Sequence, residues 1–163
     1  MFMAGGVFAA GDSLGNVGNV RLKGYLGERL DAMIANHVAA QDVDYITAPF
    51  KEKTERRGWW QTEFWGKWMH SAVPYQRYVA DGTCKGGENL HASIERGVER
   101  MLASQEKSGY IGNCPDELRC GEGWDVWGMK YTMMGLLHYY DGERGMGNGG
   151  NVHLKQQRGC ATT

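Results

Sequence analysis

Two stretches of helical period, WWQTEFWGKWMHSAVPYQRYV and GWDVWGMKYTMMGLLHYY, carry apolar residues on nearly every side. A helix that is apolar all round has to be covered on more than one flank. A simple bundle of four helices, each with one wet face, does not ask for this. A layered helical architecture does, with inner helices covered by outer ones. In the first stretch Trp60, Phe64, Trp68 and Ala72 form one stripe, and Trp65, Met69 and Val73 a neighbouring one. Glu63 precedes Lys67 by four residues, the favourable order for a helical ion pair. Pro74 is expected to kink or bound this helix. In the second stretch Met129, Met133, Met134, Leu136 and Leu137 are expected to be core.

The remaining segments are also read as helix and loop. Residues 1–19 are small and glycine-rich, an extended lead-in without helical period. NVRLKGYLG alternates like a short strand or a docked extended segment. From Glu28, Leu30, Met33, Ile34, His37, Val38 and Gln41 recur at three- and four-residue steps, so one helix is expected to end before Pro49. After the KEKTERRG connector, the tryptophan-rich helix and the DGTCKGG turn, Leu90, Ile94, Val98, Met101 and Leu102 mark another helix. SGYIGNCPDELRCGEG is a loop. Residues 143–163 have no period and read as a disordered tail. The fold class expected is all-α, about four helices with little strand.

Composition excludes several functions. A net charge of −1 over 163 residues gives no basic field for nucleic acid and no polybasic membrane signal. The apolar opening MFMAGGVFAAG lacks a basic flank and is too short to cross a bilayer, so no membrane partner is expected. Cys84, Cys114, Cys120 and Cys160 match no zinc-binding spacing. Cys114 and Cys120, flanking PDELR, suit a local disulfide, half a metal site, or unlinked thiols. The histidines are scattered without HxxxH or HExxH, and no serine-nucleophile or phosphate-loop motif is present.

What remains is aromatic. Sugar pockets combine flat aromatic faces with carboxylates and amides that grip hydroxyls. Trp124, Trp127 and Tyr131 share one helix face at three- and four-residue steps, with core packing as the competing assignment. Asp125 stands at the helix start, as a pocket residue or a cap. Lys130 lies among Met129, Tyr131, Met133 and Met134, so its ammonium either reaches outward or meets a carboxylate.

In order along the chain, VRLKGYLGERLDAMIANHVAAQD, WQTEFWGKWMHSA, ASQEKSGYIGN and WDVWGMKYTMMGLLHYYDGERG resemble the N-terminal catalytic region of beta-L-arabinofuranosidase-like proteins, glycoside hydrolase family 127 and its relatives. The resemblance covers about Val20 to Gly145 and is closest to the branch with WDxWGxKY in place of HELYxxGH. It implies a partial α/α toroid, residues 20–142 forming part of a helical-hairpin barrel with a glycan pocket at its open end. It places Gln41 where the family has a sugar-contacting glutamine, and the WDVWGMKY block at the pocket. Trp124 and Tyr131 stand where the other branch has two histidines. The family's acid/base glutamate and zinc-bound cysteine nucleophile lie later than this chain reaches. The resemblance thus implies the first third of a retaining glycosidase, binding carbohydrate through Gln41, Trp124, Asp125, Trp127, Lys130 and Tyr131. It implies no catalytic residue, metal or cofactor in this chain, zinc belonging to the full-length enzymes. Helices left uncovered favour self-association, or, as the rival reading, a non-catalytic module docking a partner through its aromatic faces.

Overall fold

A computed structural model describes residues 20–54, 59–79, 87–121 and 123–145. The expected lead-in, the DGTCKGG turn except Gly87, and the expected tail beyond Gly145 lie outside them. Among the described residues every regular element is helical: α1 (Gly24–Met33), α2 (Val43–Glu52), α3 (Phe64–Val79), α4 (Leu90–Ala103) and α5 (Asp125–Gly145). A π-helical turn, Ile34–Val38, continues α1, and single 3-10 turns precede α3 (Trp59–Glu63) and α5 (Asp116–Leu118).

Of the segment expected as strand or docked chain, residues 20–23 are docked without strand pairing and the rest, from Gly24, is already helix. Arg21 donates to the Tyr78 carbonyl at 3.3 Å and its guanidinium lies 4.4 Å from the Tyr78 ring centre. It also pairs with Asp31 at 3.2 Å. Lys23 is still extended, and Gly24, at φ 62°, turns the chain into α1 at a backbone angle that favours glycine. The helix therefore begins four residues before Glu28.

The single helix expected up to Pro49 is two. The Asp42 carboxylate accepts from the Tyr45 amide at 3.0 Å and restarts the chain as α2. Pro49 lies inside α2, buried, and the helix stops only at Lys53, which adopts the left-handed conformation. Pro74 likewise neither ends nor interrupts α3. An interior proline costs about 3 kcal/mol or more, which packing of α3 against its neighbours outweighs.

The core joins α1 and its π turn, α2, α3 and α4 through Ile34, Ile46, Phe50, Trp65, Met69, Leu90, Ile94 and Met101. Arg100 of α4 donates to Thr47 of α2 at 2.7 Å and pairs with Asp44 at 3.3 Å, tying the outer sides of these helices.

Helix α5 packs along α3, and glycine sets the approach. Gly128, Gly135 and Gly142 recur every seven residues, a period that drifts only about 20° per step around a helix. A Cβ on Gly128 would sit 1.9 Å from Thr62 Oγ1, one on Gly135 2.8 Å from the Trp65 ring, and one on Gly142 2.7 Å from Val73. From the other side, a Cβ on Gly66 would meet the Tyr131 carbonyl at 2.2 Å. This approach leaves the far side of α5 uncovered. Met133 and Leu137, expected as core, are each 59% exposed and share that side with Val126 and Tyr140. Met129, Met134 and Leu136 are only partly buried. The all-round apolar pattern thus marks a buried helix in α3 and a half-covered one in α5.

Replacing Gly128 with Ala is expected to lower stability in urea denaturation by up to about 2 kcal/mol, overpacking of roughly 1–3 kcal/mol being offset in part by the gain of about 1 kcal/mol in helix propensity. Gly123→Ala, where a Cβ meets nothing within 4 Å, should stay within about 0.5 kcal/mol. Equal effects at the two positions would contradict the close approach.

Candidate functional site

The aromatic residues at the start of α5 stand on the surface. Trp124 is 48% and Trp127 41% exposed, while Tyr131 is half-buried. Their rings meet edge to face, Trp124 with Trp127 at 6.2 Å and Trp127 with Tyr131 at 5.3 Å between centres. The Lys130 ammonium lies 3.7 Å from the Trp127 ring centre and 4.0 Å from that of Tyr131. Its charge is therefore held over two π faces on the surface.

Glu63, at the end of the turn before α3, joins this face to the rest of the molecule. The Trp127 indole N–H donates to Glu63 Oε2, and the Lys67 ammonium donates to Glu63 Oε1. Burial pushes the Glu63 carboxyl up. The bonds from Lys67 and Trp127, with the charges of Lys67 and Lys130, outweigh it and hold the group below its usual value. Glu63 is thus a fixed anion between two helices. Lys67 also lies 5.2 Å from the Tyr131 ring centre.

Behind Lys67 opens a groove of about 350 Å³ lined by His37, Val38, Gln41, Ile46, Phe64, Lys67, Trp68 and Ser71. It falls within the range of small-ligand sites, roughly 300–1,000 Å³. The π turn makes one wall, widening the helix where His37 and Val38 meet the groove, and the Trp68 indole donates to the Val38 carbonyl at 2.9 Å. Gln41 follows the turn and donates to the Asp42 carbonyl at 3.3 Å. Lys67 is the residue common to the groove and the aromatic face.

Asp125 is placed differently from its neighbours. It is 1% exposed, and both carboxylate oxygens are bonded inward. Tyr110 Oη donates to Oδ1 at 2.6 Å and the Cys120 amide to Oδ2 at 2.9 Å. Its role is to hold the loop between α4 and α5. Within that loop the Arg119 guanidinium stacks 3.7 Å from the Tyr110 ring centre and grips Glu106 with both terminal nitrogens, at 3.0 and 2.6 Å. Lys53 donates to the carbonyls of Ser104 and Gly112, each at 3.0 Å. Burial and the Asp125 hydrogen bond push the Tyr110 hydroxyl far above its usual range. Burial, with the Asp125 charge adding to it, also raises the Cys114 thiol to about 11. Cys114 and Cys120 are free thiols.

A pair of imidazoles borders Tyr131 on its other side. His70 and His138 meet edge to face at 4.3 Å, with His70 6.2 Å from Tyr131. Burial, reinforced by the charges of His138 and Lys130, lowers the His70 pKa. Sequence spacing gave no sign of this pair, since α3 supplies one member and α5 the other. The groove residues Phe64 and Trp68 were legible only as helix stripes, and Glu63 and Lys67 only as a local ion pair.

No family model, curated protein or solved structure matches the chain.

Replacing Asp125 with Asn or Tyr110 with Phe is expected to cost about 1–3 kcal/mol each, as loss of one partner strands the other in a buried site. The double variant should cost clearly less than the sum, because both changes break one bond. Additive losses in denaturant titration would show that the two residues act separately.

Proposed function

We propose that this chain supplies one wall of a carbohydrate site, as the N-terminal part of an α/α-toroid glycoside hydrolase of the beta-L-arabinofuranosidase-like type. The observation that carries the reading is the exposed Trp124–Trp127–Tyr131 face, set beside Lys130, Lys67 and Glu63 and continuous through Lys67 with the Gln41 groove. Aromatic rings offer a platform for the apolar side of a pentose, while the ammonium and carboxylate groups around them suit hydroxyls. Imidazoles are missing at positions 124 and 131, where the related branch has them, but His70 lies 6.2 Å from Tyr131 and is itself in contact with His138.

The same geometry argues for binding without turnover. A glycosidase sets two carboxyl groups across the scissile bond, one able to give up a proton. Glu63 is held ionised by its two donors, and Asp125 is buried with both oxygens engaged. Neither is suited to act as a general acid.

A second reading, a non-catalytic module that docks a partner, is favoured by the exposed Val126, Met133, Leu137 and Tyr140 side of α5. In the toroid reading that side is where a following helix would lie.

Titrating the chain with L-arabinose or methyl beta-L-arabinofuranoside should quench tryptophan fluorescence, and Trp127→Ala should remove the effect. The same preparation should not hydrolyse para-nitrophenyl beta-L-arabinofuranoside above background. Quenching unchanged in Trp127→Ala, or turnover abolished by Asp125→Asn with the fold intact, would overturn the reading.

A further inference from the structure

Three helices converge at the far end of α5, away from the aromatic face. His91 and Glu95 lie four residues apart on α4, so they share one side of that helix. Glu143, near the end of α5, faces them. One ring nitrogen of His91 and one carboxylate oxygen each of Glu95 and Glu143 lie within 4.8 Å of one another. Donors about 2.1 Å from a tetrahedral metal ion stand roughly 3.4 Å apart. Side-chain shifts of about an ångström, within reach of rotamer adjustment, would therefore close the three onto one ion.

The surroundings are those of a ligand set with its supports. The Gln76 side-chain amide, from α3, lies 2.5 Å from His91 Nδ1. Turned so that its oxygen accepts from Nδ1–H, it would fix the tautomer whose Nε2 lone pair binds a metal. Tyr139 Oη donates to Glu95 Oε2 at 3.0 Å and orients that carboxylate across the α4–α5 gap. Gln76 and Glu143 are each 7% exposed, while His91 is on the surface and gives an ion its way in. Burial of Glu143 beside a second carboxylate favours a bound cation between them.

We propose that His91, Glu95 and Glu143 form a binding site for one first-row divalent metal ion, zinc or manganese, which ties α4 to the end of α5. One imidazole and two carboxylates suit these ions better than calcium, which prefers an all-oxygen cage of six to eight ligands. Glu143 lies 16 residues beyond Trp127 on α5, about 24 Å at 1.5 Å per residue, so the ion would be structural. The site does not depend on the carbohydrate reading.

The test uses the full chain stripped with chelator. Manganese titration followed by electron paramagnetic resonance, and zinc by equilibrium dialysis, should each give one bound ion per chain, with excess calcium unable to displace zinc. His91→Gln and Glu95→Gln should each weaken binding at least about tenfold, and the double variant should abolish it. Far-UV circular dichroism checks that the variants stay helical, which the surface position of His91 favours. Manganese avoids thiols, so its binding separates this site from Cys114 and Cys120. Absence of stoichiometric manganese or zinc, or binding that survives in the helical double variant, would overturn the proposal.

Discussion

The contact on which the rest of the molecule depends is the backbone-close packing of α5 along α3. Gly128, Gly135 and Gly142 on one helix, and Gly66 on the other, remove the side chains that would hold the axes apart. The reward is contact between large neighbours: Trp65 is fully buried, with the Gly135 position on one flank and Gly97 of α4 on another. Dispersion is short-ranged, so a gap of even half an ångström along this seam would forfeit much of it. With α5 set this close, Trp127 reaches Glu63 and Tyr131 reaches Lys67 and His70. The same seam brings Glu143 towards Glu95 of α4, through their shared neighbour α3.

Charge is then distributed along a scaffold that packing has fixed. At the start of α5 one buried carboxylate, Asp125, faces inward and secures a loop, while a second, Glu63, gathers an indole and an ammonium at the surface. Two acidic residues near the same helix end thus have opposite roles, because one is closed off by Tyr110 and Cys120 and the other is bordered by cations. Lys130 lies over aromatic faces among methionines, which answers how a lysine fits in such a sequence.

How much of this was legible in the sequence varies by the range of the interaction. Helix content was, because the apolar steps in Leu90–Met101 and Trp65–Val73 are local and repeat. Boundaries set by single residues were less so: the Asp42 cap splits a helix that periodicity joins, and Pro49 and Pro74 sit inside helices that tertiary packing sustains. Met133 and Leu137 look like core by pattern and are exposed, because apolar character on every side does not say which side finds a partner. Of the site residues, Trp124, Trp127, Lys130 and Tyr131 gather on one face as their spacing requires, and Gln41 joins them only through Lys67. Asp125 turned inward because Tyr110, fifteen residues earlier in the chain, supplies its donor. The glycine stripe is present in the sequence at its seven-residue period, but the period alone does not say which helix approaches it.

Hydrogen exchange across the intact chain tests the central claim most directly, because it reports which helices open together. If the α3–α5 seam organises the fold, amides in the middle of both helices, around Trp65–Val73 and Gly128–Gly142, should be among the slowest to exchange. They should also lose protection together as denaturant is added. An α5 that exchanges as fast as a frayed, isolated helix while α3 stays protected would contradict the account.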